Sequence, residues 1–168
     1  MNILLKKFIQ DPYNIGAVIE SSEKSAQKIA SIINSTCTQN IIEIGGGTGS
    51  LTRFINKKKI TIVERDKELY DLLSIKYPGH KIIHSCGLEY LKNYKNKYGL
   101  FTSIPLMQSK LKSDFTSIIN EHAQSKQIEW FVILGYRIFD QFKNINFNNR
   151  KKFFVFNNLP PAFIWYYF

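Results

Sequence analysis

The chain has 168 residues, 44% hydrophobic and 14% aromatic, which suits one domain with a core of its own and excludes a disordered chain. Its two cysteines, Cys37 and Cys86, and three histidines, His80, His84 and His122, share no metal-ligand spacing and no disulfide framework, so no metal and a reducing compartment are expected. The net charge of +10 points to a polyanionic partner, nucleic acid or an anionic membrane face, with basic clusters at 6–7, 57–59, 92–97, 110–112 and 150–152.

Residues 2–10 are predicted as a short helix, with Leu4, Leu5 and Phe8 on one side and Lys6 and Lys7 elsewhere, ended by Asp11-Pro12. This opening is too short and too quickly charged for a signal peptide, and no apolar run reaches the ~20 residues of a membrane span. Ser22 is the predicted N-cap of a helix to about Ile33, with Ala26, Ile29, Ala30 and Ile33 on one face. A strand at 40–44, a helix at 49–56 and a strand at 59–64 follow. A helix at 67–76 is closed by Pro78-Gly79, and Lys81–His84 is the third strand. A short helix at 86–94 precedes a strand from Tyr98 to Ile104 that stops at Pro105. Leu111, Phe115, Ile118 and Ile119 set a helix over 110–124, and Glu129 to Tyr136 is the fifth strand. Residues 139–149 are an Asn-rich loop, and two β-rich runs, 152–156 and 162–167, close the chain. Strands alternating with helices and then a hairpin predict an α/β fold. Its sheet is mostly parallel and seven-stranded, with an antiparallel C-terminal hairpin and helices on both faces. Neither a repeat nor a linker divides the chain, so residues 1–168 are expected to form a single domain.

The chemistry gathers where the first two strands end. Ile41-Ile42-Glu43-Ile44 runs into Gly45-Gly46-Gly47-Thr48-Gly49, and Ile60-Thr61-Ile62-Val63-Glu64 follows one βα unit later. Glycines let a ligand lie against bare backbone, and an acid at the second strand tip suits ribose hydroxyls. Glu64 lies 21 positions after Glu43, the separation one such unit requires. The glycines run Gly-x-Gly-x-Gly with Ser50 at the third dinucleotide position, and no Gly-Lys-Ser/Thr follows, which excludes a P-loop. Glu43 would repel a pyrophosphate and suits a cationic ligand. The combination favours S-adenosylmethionine over NAD; a bare strand-to-helix turn is the rival reading and needs fewer glycines.

The same blocks resemble the bacterial phospholipid N-methyltransferase family, class I S-adenosylmethionine-dependent enzymes similar to the rRNA adenine dimethyltransferases. Residues 8–22, from Phe8-Ile9-Gln10-Asp11-Pro12 through Ile15-Gly16-Ala17-Val18 to Ser21-Ser22, look like that family's opening pattern. Ile42–Gly49 looks like its cofactor loop, Ser103-Ile104-Pro105-Leu106 stands where it carries Gly-Leu-Pro-Leu, and Asn158-Leu159-Pro160-Pro161-Ala162-Phe163-Ile164-Trp165 resembles its closing block. The resemblance spans nearly the whole chain in order. It implies a Rossmann-like fold and a cofactor set of Gly16, Glu43, Gly45, Gly47, Thr48, Gly49, Glu64, Arg65, Ser85 and Cys86. There are departures: Glu20 replaces a proline, Tyr136-Arg137-Ile138 replaces Tyr-Gly-Pro, and Ser85-Cys86-Gly87 replaces a Gly-Asp-Ala whose acid binds adenine. Glu89 and the Ser85 hydroxyl are the substitutes within reach.

Methyl transfer to an amine is an in-line displacement in which the protein supplies alignment and exclusion of water. Carbonyls at Thr102, Ser103 and Ile104 are placed to hold the amine, with Pro105 fixing that backbone and Tyr136 bordering the acceptor. For Pro105 the rival reading is a plain strand end, for Tyr136 a buried structural ring. The expected acceptor is a phospholipid amine such as phosphatidylethanolamine, reached from the cytoplasmic side at an anionic membrane surface on which the first helix lies. RNA adenine is the alternative. That family's Asn-Leu-Pro-Tyr/Phe after the fourth strand, whose aromatic stacks on the base, is Ser103-Ile104-Pro105-Leu106 here. A non-catalytic cofactor-binding homologue is the third reading, motivated by the missing acid.

Overall fold

A computed structural model describes residues 23–55, 59–104, 109–136, 138–140, 142–156 and 161–168. The predicted opening helix, Gly16, Pro105 and the Ser22 cap lie outside them. Helix α1 runs Glu23–Asn34 and buries Ala26, Ile29, Ala30 and Ile33, the i, i+3, i+4, i+7 set that its sequence spaces along one side. Strands β1 (Ile41–Ile44), β2 (Thr61–Glu64), β3 (Lys81–His84), β4 (Tyr98–Thr102) and β5 (Ile128–Gly135) alternate with α2 (Lys67–Lys76), α3 (Gly87–Asn93) and α4 (Ser109–Gln124). Strands β6 (Arg150–Val155) and β7 (Ala162–Tyr167) close the sheet.

The seven strands are ordered β3-β2-β1-β4-β5-β7-β6, parallel up to β5 and antiparallel for β7 and β6. Chain connections run outward in opposite directions from β1 and β4, so a crevice opens between their carboxyl ends. Side chains alternate across the sheet with period two. Ile41, Ile62, Phe101, Val132, Leu134 and Ile164 face a core closed by α1 and by Leu73 of α2. Ile42, Ile44, Val63, Leu100, Phe131 and Ile133 face a second core closed by α3 and α4. Helices therefore cover both faces, as the alternating pattern predicts. Phe131 anchors the second core between Phe115, Phe142 and Tyr167. Truncating such a fully buried ring to alanine costs about 3–5 kcal/mol.

The structure departs from expectation at three places. The helix predicted over 49–56 is only a 3-10 turn, Thr52–Phe54. Gly49 opens it with φ +79°, and the amide of Ile55 bonds to the carbonyl of Thr52 rather than one residue further back. Strand β4 ends at Thr102, not Ile104, because the Thr102 hydroxyl donates to the Ile44 carbonyl at 2.7 Å and accepts the Ile104 amide at 3.1 Å. The side chain takes the place of the ladder and turns the chain out over β1. Strand β6 starts at Arg150, two residues early, because the Asn149 and Phe168 backbones exchange both hydrogen bonds beside it. The Asn-rich loop is a loop as predicted, yet Phe142 and Ile145 are buried in the second core. Asp140 holds it there by accepting from Tyr167 Oη at 2.6 Å, Phe142 N at 2.9 Å and Arg150 Nη1 at 2.9 Å.

Candidate active site

The glycine loop leaves β1 at the crevice. The Gly45 amide still donates to the Val63 carbonyl at 2.8 Å, and Gly45, Gly47 and Gly49 all have positive φ. At Gly45 a methyl group would lie 2.6 Å from Ile104 Cγ1, so the turn after β4 packs directly on the loop. Gly47 is different: nothing lies within 4 Å of where its Cβ would be. This is a cradle of bare backbone open to a ligand.

Two side chains hold the loop from below. Tyr77 Oη donates to the Gly49 carbonyl at 2.8 Å, and Lys76 Nζ donates to the Thr48 carbonyl at 2.9 Å. Both stand at the end of α2, 28 positions from their partners. Thr48 itself is nearly buried. Neither Tyr77 nor Lys76 was foreseen, since no local pattern links them to the loop.

Glu64 is buried at the tip of β2. Its Oε2 accepts the Gly47 amide and its Oε1 the Asp66 amide, each at 2.9 Å. One carboxylate thus ties the loop to the start of α2, where Asp66 caps by accepting from Leu69 N at 3.0 Å. Each carboxylate oxygen still has a lone pair for a ribose hydroxyl.

Glu43 is 1% exposed, and Thr52 Oγ1 donates to its Oε2. Its Oε1 is buried and has no partner among the described residues. Burial, opposed by the Thr52 hydrogen bond and reinforced by the Glu64 charge, pushes its pKa up to about 8. Burial thus makes this carboxyl hold its proton more readily at neutral pH than an exposed acid does.

Arg65 is exposed, and its carbonyl bonds to Nε2 of His84 at 3.0 Å. Ser85 extends the β3 ladder by donating its amide to the Glu64 carbonyl at 3.1 Å. Cys86 is exposed at the N-cap of α3 and makes no capping bond. Its neighbour Gly87 lets α3 start against β1, since a methyl there would lie 2.2 Å from Ile44 Cγ2. Ser103 and Ile104 are half-buried beside the loop. The strand ends therefore bring together Glu43, Gly45, Gly47, Glu64, Ser85, Cys86, Ser103 and Ile104. Tyr136 follows the carboxyl end of β5, the strand beside β4, and packs half-buried against the core on the α1 side of the sheet. A cavity of about 160 Å³ lined by Phe142, Asn149, Arg150 and Tyr167 shares no residue with the crevice.

An open cradle at Gly47, a partnerless buried oxygen at Glu43 and a buried acid at the β2 tip fit a ligand with a sugar and an ammonium group. Comparison with known proteins agrees. A segment aligned over 94 residues is 32% identical to ribosomal RNA small subunit methyltransferase A of Hydrogenobaculum sp. (strain Y04AAS1), covering 49% of this chain and 37% of that protein. The same enzyme of Maridesulfovibrio salexigens is 38% identical over 60 residues, 34% of this chain and 23% of that one. The chain thus matches little more than a third of the first relative's length and less than a quarter of the second's. Among solved structures, the 23S rRNA methyltransferase ErmE superposes with a TM-score of 0.64 at 16% identity, covering 88% of this chain and 68% of that one. Magnesium protoporphyrin IX methyltransferase of Synechocystis PCC 6803, solved with bound S-adenosylmethionine, gives 0.64 at 8% identity over 99% and 83%. These two show the class I methyltransferase fold. None of these matches is to the phospholipid family that the terminal blocks resemble. The profile of ribosomal RNA adenine dimethylases matches residues 13–161, and the chain belongs to that family of S-adenosylmethionine-dependent methyltransferases.

Proposed function

We propose that the chain methylates the exocyclic amine of an adenine in RNA, with S-adenosylmethionine as donor. The family match over residues 13–161 carries this reading. The bound cofactor supplies an electrophilic methyl group on a sulfonium whose departure leaves a neutral thioether. Glu64 and the Gly47 cradle would hold its sugar end, and the unpartnered Glu43 Oε1 would receive its ammonium. The turn after β4 holds the acceptor. Thr102 fixes that turn to β1, and the Ser103 and Ile104 carbonyls are the acceptors this reading assigns to the amine's N–H bonds. Alignment of this kind is the protein's main contribution to such a displacement. The proton lost by the amine passes to solvent.

The basic surface fits this acceptor, since phosphate contacts dominate the affinity of RNA-binding proteins. Phosphatidylethanolamine methylation at a membrane rests on the resemblance of 8–22 and 158–165, and the comparisons lend it nothing. No helix among the described residues is long and apolar enough to cross a membrane. The two acceptors separate in one experiment: labelled S-adenosylmethionine is incubated with the protein and either ribosomal RNA or phospholipid vesicles. Label in the RNA is expected; label in the lipid alone overturns the proposal.

A further inference from the structure

Strand β6 is an edge of the sheet, and alternate residues of it, Arg150, Lys152 and Phe154, followed by Phe156, fall on the α4 side. Phe154 is 57% and Phe156 75% exposed, with Ile138 and Phe139 exposed nearby in sequence order after β5. Single exposed apolar side chains are ordinary, but rings clustered on one edge are not. The Phe154 centroid lies 5.1 Å from that of Phe163 and 6.2 Å from that of Phe156. Lys152 Nζ sits 4.4 Å from the Phe163 centroid and 5.0 Å from that of Trp165, and donates to the Ile138 carbonyl at 2.6 Å. Among the described residues no ion pair involves Lys151 or Lys152. On the opposite face Lys28 and Lys151 stand over Phe153 and Phe168.

This patch lies at the crevice end of the sheet. Phe154 is in register with Phe163, and Phe163 with Gly135 at the carboxyl end of β5. Three interstrand steps separate β6 from β4, about 14 Å. A few extended nucleotides cover that span. The crevice lacks the aromatic residue expected after β4, so stacking on the RNA must come from rings elsewhere.

We propose that the β6 edge is a docking surface for single-stranded RNA flanking the reacting adenine, with a base on Phe154 and a phosphate at Lys152. It rests on the RNA reading of the crevice and goes beyond it by placing the substrate's path. Cations followed by exposed rings along one face of an edge strand suit a phosphate beside stacked bases. The exposed apolar residues are mainly aromatic rather than aliphatic, and a net charge of +10 opposes a second copy of the chain.

Binding of a fluorescein-labelled, unstructured oligoribonucleotide, followed by anisotropy over a salt series, tests this. Phe154→Ala is expected to weaken binding about five- to hundredfold, the cost of losing one stacked base. Lys152→Gln is expected to lower the slope of log affinity against log salt by about 0.7, one phosphate contact. An unchanged thermal midpoint checks that each variant folds. Unaltered oligonucleotide affinity in both variants overturns the proposal. So does a Phe154→Ala defect seen with phosphatidylserine vesicles, or in sedimentation as lost self-association, but not with RNA. Methylation of RNA by a protein whose β6 variants bind normally defeats this surface and leaves the crevice reading standing; the reverse result does the opposite.

Discussion

Replacing Glu64 by glutamine keeps the side chain's volume and removes its charge and one of its two acceptor oxygens. Both oxygens are in use: one accepts the Gly47 amide, the other the Asp66 amide. In the variant the new amide nitrogen must face one of these donors, so one bond is lost and one N–H is left against another. A hydrogen bond to a charged group contributes about 1.5–3 kcal/mol. Gly47 is half-exposed, so water replaces part of that loss in the free protein. Stability should fall by roughly 1 kcal/mol, below that range because water compensates in part. The cofactor loses more, because the cradle's position and the ribose acceptor disappear together. An S-adenosylmethionine affinity about ten- to hundredfold weaker is expected, equivalent to roughly 1.5–3 kcal/mol. Isothermal titration of the folded variant measures it, with a thermal melt alongside. Wild-type affinity in a folded Glu64→Gln protein would refute the assignment of this acid to the cofactor.

Glu43 links the site to pH. Its pKa rises from 4.5 to about 8 on folding, so its stabilising contribution is full below about 4.5 and is lost as pH climbs to about 8. Glu43→Gln should flatten that part of the stability profile; an identical slope in thermal melts of the two proteins would contradict it. A ligand ammonium at Oε1 ionises the acid, so cofactor binding near pH 7 should release a proton, read by calorimetry in buffers of different ionisation enthalpy. Gly49→Ala should destabilise the fold by about 1–3 kcal/mol, since its methyl would lie 2.3 Å from the Tyr77 ring. Gly47→Ala meets no atom and costs only the strain of its φ, roughly 1–2 kcal/mol, yet should abolish cofactor binding by filling the cradle. Equal cofactor affinities in the two glycine variants would defeat the cradle. Cys86→Asp adds a cap to α3 that the cysteine does not make, worth about 1 kcal/mol in a melt, and should tighten cofactor binding by restoring an acid beside the adenine. Looser binding would place the adenine elsewhere.

The elements that read well were those whose pattern is local. The spacing of Ala26, Ile29, Ala30 and Ile33 marks α1, and Pro78-Gly79 closes α2 where the structure ends it. The mostly parallel sheet with its antiparallel end followed from alternation and the final hairpin. What could not be read depends on partners far along the chain. Strand β4 ends early because the Thr102 hydroxyl reaches the Ile44 carbonyl, 58 positions away. Glu43 looks like an ordinary acid until packing seals it under Thr52 and raises its pKa. The same limit hid Tyr77 and Lys76 beneath the loop. Choosing between lipid and RNA turned on blocks that related families share. The opening and closing patterns resemble phospholipid enzymes, whereas the profile that matches 13–161 is that of the rRNA adenine dimethylases. The departure at Ser103-Ile104-Pro105-Leu106 argued against RNA in the sequence. The exposed rings of β6, which offer stacking elsewhere, emerge only once β6 is seen to be an edge.

The central claim is tested most directly by nucleoside analysis of ribosomal RNA after incubation with the protein and S-adenosylmethionine. Digestion to nucleosides and mass spectrometry should reveal adenosine carrying one or two methyl groups on its exocyclic nitrogen, dependent on Glu64. Unmodified adenosine in the presence of a protein that binds the cofactor, with methylated ethanolamine headgroups in a parallel lipid incubation, would contradict it.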